Sequence, residues 1–325
     1  MDPIVQWSIW EGEFTAARER TQPYLRPDET PLAATFSHAE SGARITVEGF
    51  WDGGRTWRVR FAPSLPGTWE WQTASEDQGL AGQGGTLEVR AATPEEIAAN
   101  PNLRGHVRVS PDGRRFHYAD GTPFLLLGDT NWAMNTERCG LGDGDGPFFV
   151  WLRDRQARGY TAVMTEFMEI DQPNEGGHPF PGNTDPPGSG RFDDPNPAYF
   201  AGLDRRMAAL WEAGMVVCAH PTWIGKQVGV SLEDAIWLSR YLLARYAAHN
   251  LIWSLSGEYQ YAYTHTGIPW KKSDWQALGS AVAAANAYGH PLSIHPSGRQ
   301  DLDDPAAWPE EAHQASSAGE FHDEP

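Results

Sequence analysis

Between residues 124 and 294 the chain repeats one unit, a short apolar run followed by an amphipathic helical pattern, and this limits the fold more than any other feature. The apolar runs 124–127, 161–164, 215–219, 251–255 and 291–294 read as five strands. Helices are expected at 147–158, 197–213, 231–249 and 272–288. In the second of these, Phe200, Leu203, Met207, Leu210 and Trp211 recur at helical spacing. Strands that are apolar throughout and alternate with helices predict a parallel sheet covered by helices.

Two arrangements satisfy that pattern, an open doubly wound sheet and a closed barrel. The first run leads into Gly128-Asp129-Thr130-Asn131-Trp132, which has one glycine where a dinucleotide-binding turn needs several. All five strands also end in polar or aromatic residues, as when loops around a barrel rim share one site. A TIM-type (β/α) barrel is therefore expected over 105–325. An eight-stranded barrel takes about 250 residues, so the five strands read here predict an incomplete barrel.

The first 92 residues follow a different grammar. Runs such as Thr56-Trp57-Arg58-Val59-Arg60-Phe61 and Thr68-Trp69-Glu70-Trp71-Gln72 alternate with period two, and Gly, Pro and Asp clusters punctuate them. Many short strands without helices predict an immunoglobulin-like β-sandwich over 1–92. Residues 93–104 read as a linker opened by a Thr-Pro-Glu-Glu helix start. A hairpin at 106–109 and 115–118, turned by Ser110-Pro111-Asp112-Gly113, follows it.

The five strand ends carry the candidate chemistry. They are Asp129-Thr130-Asn131-Trp132, Thr165-Glu166-Phe167, His220-Pro221-Thr222-Trp223, Ser256-Gly257-Glu258-Tyr259 and His295-Pro296-Ser297-Gly298. Carboxylates, imidazoles and indoles are suited to protonating and stacking a sugar, whereas a phosphate site calls for lysines and glycine-rich turns. In the fourth strand, alternation sends Trp253 and Leu255 to one side and Ile252, Ser254, Ser256 and Glu258 to the other. With the bulky pair against the helices, Glu258 points into the mouth above two small serines, where partial burial suits a carboxyl group to general-acid work.

The order LLLGDTNW, YFAGLDRRMAALWEAGM, HPTWIG, LIWSLSGE and LSIHPSG resembles the apiosidase-like glycoside hydrolases, a (β/α)8 barrel family. The segments VEGFWDGG and RFAPSLPGTWEWQT resemble the β-sandwich module that often precedes such barrels. The resemblance implies hydrolysis of a glycosidic bond in a plant cell-wall-type or related glycan, without a metal or organic cofactor. In that family the fourth strand usually ends in Gly-Gly-Asp and its carboxylate is the acid/base; Ser256-Gly257-Glu258 stands at that place here. The family's nucleophile, a Glu near the end of a seventh strand, is expected beyond Pro325, so the chain reads as truncated and hydrolysis as requiring the remaining strands.

The expected catalytic residue is thus Glu258, in a retaining mechanism. The expected substrate-binding residues are Asp129, Trp132, Glu166, His220, Trp223, His295 and Ser297, with Trp132 and Trp223 as stacking surfaces. Glu166 also stands as an alternative second carboxylate, and Asp129 alternatively caps the following segment. Gly142-Asp143-Gly144-Asp145-Gly146 lacks the ligand series of a calcium loop and reads as a plain loop. The long Asp- and Pro-rich segment 171–197 is expected to wall the cleft. A non-catalytic carbohydrate-binding protein is the alternative reading. A third reading is a metal-dependent barrel hydrolase with His220 and His295 as ligands, which the absence of an HxH pair disfavours.

Bulk properties narrow the partners. A net charge of −18 leaves no basic surface for nucleic acid. The N-terminus has neither a basic n-region nor an apolar core, so a cytoplasmic protein is expected unless a leader has been lost. Cys139 and Cys218 lie in different segments and form no metal-type spacing.

Overall fold

A computed structural model describes residues 3–24, 29–169, 172–183, 192–224, 229–259 and 270–296. Its N-terminal region is β-rich and comprises β1 (Ile4–Val5), β2 (Trp10–Thr15), β3 (Ala33–His38), β4 (Arg44–Glu48), β5 (Phe50–Trp51), β6 (Thr56–Phe61), β7 (Gly67–Ala74) and β8 (Gly84–Arg90). These strands form one sheet in the order β1-β8-β7-β3-β4 and a second in the order β2-β6-β5. Alternation buries Phe36 and Trp69 on the first sheet and Trp57, Val59 and Phe61 on the second. Phe36 stacks on Phe61 with ring centroids 3.8 Å apart, which joins the two layers. Deleting one such buried ring costs about 3–5 kcal/mol.

Helix α1 (Pro94–Ala99) follows, and its start is the one the Thr-Pro-Glu-Glu run specifies. Thr93 Oγ1 accepts from the Glu96 amide at 3.2 Å, and the Glu96 carboxylate accepts from the Thr93 amide at 2.8 Å, a complete capping box. Next comes an antiparallel sheet of β9 (Arg108–Val109), β10 (Phe116–His117) and β11 (Pro123–Phe124).

The α/β region contains five parallel strands: β12 (Gly128–Thr130), β13 (Ala162–Glu166), β14 (Val216–His220), β15 (Leu251–Ser254) and β16 (Leu292–Ser293). Helices α2 (Pro147–Ala157), α3 (Pro197–Glu212), α4 (Leu232–Tyr246) and α5 (Lys272–Ala285) connect them. The spatial order is sequential, β12-β13-β14-β15-β16, whereas a doubly wound sheet reverses order at a switch point. One expected strand is corrected. Phe124 belongs to the small antiparallel sheet, and the first parallel strand begins at Gly128. The Leu125-Leu126-Leu127 run was misleading because its outer members, Leu125 and Leu127, are 73% and 42% exposed.

Register sorts the side chains of the parallel sheet into two faces. Asp129, Val163, Val217 and Leu251 are aligned neighbours, as are Ala219, Trp253 and Leu292. Val163, Val217, Leu251, Trp253 and Leu292 join the main core, to which the helices also contribute. The opposite face carries Ala162, Met164, Val216, Cys218 and Ile252, packed with Val107, Phe116, Tyr118 and Phe124 from the small antiparallel sheet and the segment before it. That sheet therefore plugs one end of the inner face, and the other end is left for the strand termini.

The two regions meet along a charged seam. Arg60 of β6 donates to both carboxylate oxygens of Asp204 on α3, at 3.2 and 2.8 Å, and Arg245 of α4 does so at 2.9 and 2.7 Å. Arg245 also pairs with Asp52 at 2.8 Å, and Arg60 with Glu11 at 2.8 Å. Both guanidinium groups lie over the Phe50 ring. The flanking Guanidinium–carboxylate arrangement holds the Asp204 carboxyl well below the usual carboxylate range, against the opposing effect of burial. Beside this network, Tyr288 Oη accepts from the Ala62 amide at 2.9 Å, and His106 packs between Trp7 and Tyr288.

Candidate active site

The inward positions at the carboxyl ends of the strands are Glu166, His220 and Ser254, with Ser293 alongside on β16. Glu166 and His220 are register partners, and both are buried. The chain then leaves each strand through a loop whose backbone is tied to its neighbour. The Phe167 amide donates to the His220 carbonyl at 2.7 Å, the Ile224 amide to Ser256 Oγ at 3.1 Å, and the His295 amide to the Ser256 carbonyl at 3.1 Å. These links fix where Trp223, Glu258 and His295 emerge.

Four rings converge there. Trp132 lies 4.8 Å from Trp223 and 5.4 Å from His220, centroid to centroid. His295 lies 5.4 Å from Trp223, 5.6 Å from His220 and 6.4 Å from Trp132. Trp223 also reaches the fourth strand end, where its Nε1–H donates to Glu258 Oε2 at 3.0 Å. The ring lies against Gly257, where any added Cβ would overlap it. Glu258 is half-buried, and its backbone is left-handed at φ 44°, shared among non-glycine described residues only with Trp7. Such a conformation costs about 1–3 kcal/mol for a residue with a side chain, and strain of this kind clusters at functional sites.

His220 is neutral in this setting. Burial, reinforced by the neighbouring His295, lowers its pKa to about 4. Its Nδ1 lies 3.3 Å from the Thr165 carbonyl, which can only accept, so Nδ1 carries the proton and Nε2 is left as an acceptor. A neutral imidazole of this tautomer can accept a hydrogen bond from a hydroxyl.

Of the residues expected from sequence, the structure gathers Trp132, His220, Trp223, His295 and Glu258 into one cluster, with Glu166 beside His220. Asp129 is not gathered with them. It shares the outer parity of Val163, and its Oδ2 accepts from Trp151 Nε1 at 2.8 Å and Arg155 Nε at 2.5 Å on α2. Ser297 lies outside the described residues. Trp223 is 9% exposed, so its faces are largely taken by protein, whereas Trp132 is only half-buried.

Sequence reasoning missed the residues that hold the mouth in shape. Arg206 of α3, fully buried, pairs with both oxygens of Glu175 at 2.9 Å and donates to the carbonyls of Met134 and Cys139, at 2.8 and 2.9 Å. Asn135 Nδ2 donates to the Glu166 carbonyl at 2.9 Å. The loop after β12 and the described part of segment 171–197 are thereby locked together. The available signal was an arginine within the apolar stripe Leu203, Met207, Leu210. Among the described residues, no group of three or more metal-ligating side chains occurs.

The strand ends of the parallel α/β region thus gather carboxylates, indoles and imidazoles at one place. The chain belongs to the apiosidase-like family of glycoside hydrolases, since residues 110–318 match the model described as the apiosidase-like catalytic domain. Residues 3–76 match a domain of unknown function, DUF5060. Among solved structures, a provisionally assigned glycoside hydrolase from Bacteroides vulgatus is 26% identical, with a TM-score of 0.68 over 91% of this chain and 56% of that one. A protein titled simply a glycoside hydrolase is 20% identical, with a TM-score of 0.50 over 64% of this chain and 45% of that one, and shares the fold. The chain thus spans about half the length of these solved relatives. Comparison with curated proteins finds no match.

Proposed function

We propose that this protein hydrolyses glycosidic bonds in plant cell-wall-type or related glycans, with Glu258 as general acid/base at the mouth of a (β/α)8-type barrel. The observation that carries the reading is the setting of Glu258: a half-buried carboxylate on a left-handed backbone, held by the Trp223 indole beside His220 and His295. Glu258 donates its proton to the leaving-group oxygen as the C–O bond breaks and its electron pair passes to that oxygen. A second carboxylate captures the sugar as a covalent intermediate. Glu258, now ionised, then takes a proton from the water that releases the sugar, so configuration is retained.

In a retaining enzyme the second carboxylate lies about 5–5.5 Å from the first. The family resemblance assigns it to a seventh strand, which is not among the five described. Glu166 is the other carboxylate on an inward strand end and serves as a substrate ligand in this reading. His220 Nε2 accepts from a sugar hydroxyl, and Trp132 supplies the stacking face. No metal or organic cofactor takes part.

The test is a screen of the purified protein, carrying the strands that complete the barrel, against pectic polysaccharides, arabinans and a panel of aryl glycosides, with released sugars measured alongside the Glu258→Gln variant. Release by the wild type and loss in the variant, with glycan binding retained, is the expected result. Release by Glu258→Gln at the wild-type rate overturns the assignment. Binding by the wild type without release of any sugar favours the non-catalytic carbohydrate-binding reading.

A further inference from the structure

We infer that Trp223 is a positioning residue for Glu258, acting through the carboxylate it holds and not as a stacking platform for the sugar. This rests on the reading of Glu258 as the general acid. Three observations carry it. Trp223 is 9% exposed, with Trp132, His220 and His295 packed around its ring, so little aromatic face is left for a ligand. Its one polar atom, Nε1–H, donates to Glu258 Oε2 at 3.0 Å. Gly257, immediately before the acid, has no side chain at the place where any Cβ would overlap the indole. The glycine lets the ring lie against the strand end, and the ring holds the carboxylate.

The hydrogen bond also distinguishes the two carboxylate oxygens. An indole N–H can only donate, so Oε2 is kept as an acceptor and the transferable proton resides on Oε1. In the first step the Oε1–H bond breaks as the proton passes to the glycosidic oxygen, and Oε2 keeps its bond to the indole throughout. Without that bond the carboxyl group loses one restraint on its orientation, and fewer encounters present Oε1–H to the leaving oxygen.

Trp223→Phe keeps an aromatic ring and removes only the donor. On an aryl glycoside with a poor leaving group, such as a phenyl glycoside, kcat for the first step should fall about 10- to 100-fold, part of the 10²–10⁴ that a general acid contributes, with KM nearly unchanged. On the matching dinitrophenyl glycoside, whose leaving group departs unprotonated, the loss should disappear. A variant that raises KM with kcat preserved, or is equally slow on both leaving groups, overturns the positioning role. A readout independent of turnover is the Trp223 indole N–H resonance, assigned by its absence from Trp223→Phe. Measured at a pH high enough to ionise Glu258, it should move upfield in Glu258→Gln, because a neutral amide oxygen is a weaker acceptor than a carboxylate. An unmoved resonance overturns the inference even if hydrolysis is established. A resonance that moves in a protein that cleaves no glycoside leaves the indole–carboxylate bond standing while removing the general-acid reading.

Discussion

The seam between the two regions and the mouth of the parallel sheet both hold a carboxylate in place, but by opposite means. At the seam, Asp204 is gripped by two guanidinium groups that are themselves covered by Phe50, so the charges on all three are fixed. At the mouth, Glu258 takes a hydrogen bond from the Trp223 indole, which itself packs against the neutral His220 imidazole. Two flanking cations keep the Asp204 carboxyl ionised well below neutral pH, whereas the Trp223 indole orients the Glu258 carboxylate without adding a charge of its own. The same side-chain chemistry therefore serves cohesion in one region and, in the proposed mechanism, proton transfer in the other.

That contrast is broken most directly by exchanging readouts. Glu258→Gln should lower glycoside hydrolysis by about 10²- to 10⁴-fold and leave the thermal midpoint within a degree or two. Asp204→Asn should do the reverse. It leaves Arg60 and Arg245 facing each other and should cost about 3 kcal/mol in urea unfolding, the low end for a broken buried pair because the Asp204 side chain keeps 22% exposure. Its remaining folded fraction should turn over normally. Activity loss from Asp204→Asn without a loss of stability would erase the distinction.

Acid should loosen the seam in two stages. Burial lowers His249 to about 3, His290 to about 4 and His106 well below its ordinary value, with Arg108 beside His106 and His290 adding to the effect. The unfolded chain takes up these protons near pH 6.5, so it binds more protons than the native state below that pH. The histidine contribution is therefore complete above about pH 6.5 and is lost as pH falls toward the native values near 4 and 3. The Asp204 contribution, complete above its unfolded value of about 3.9, is lost only below that. Urea midpoints that stay level from pH 7 to pH 4.5 would contradict the first stage. The smallest effect is expected at the seam's rim. Arg240→Gln removes the 2.9 Å pair with Glu48 and the bond to the Glu29 carbonyl and should cost about 1–2 kcal/mol, less than Asp204→Asn in the same unfolding series.

The difference between the two regions also decides what a reader of the sequence can see. The mouth is largely legible, because it is built from strand ends. The apolar runs locate His220 and Glu166, whereas the fourth strand ends at Ser254, so the alternation expected along 252–258 does not reach Glu258. The backbone at Glu258 is not legible, since a glutamate carries no signal for positive φ as glycine or asparagine does. Asp129 was misplaced for a related reason: moving the first strand to Gly128–Thr130 assigns Asp129 the outward parity, toward Arg155. The seam is hidden altogether. Arg60 and Asp204 are 144 residues apart, and each alone resembles an ordinary surface charge on a strand or a helix.

The left-handed backbone at Glu258 sets the protein's stability against its proposed chemistry. Glycine occupies that region without the steric cost that a side chain brings. Glu258→Gly should therefore melt at a higher temperature than the wild type while losing the acid. The most robust form of this fold would be one that has given up its work, and selection for heat resistance alone would drive the position away from glutamate.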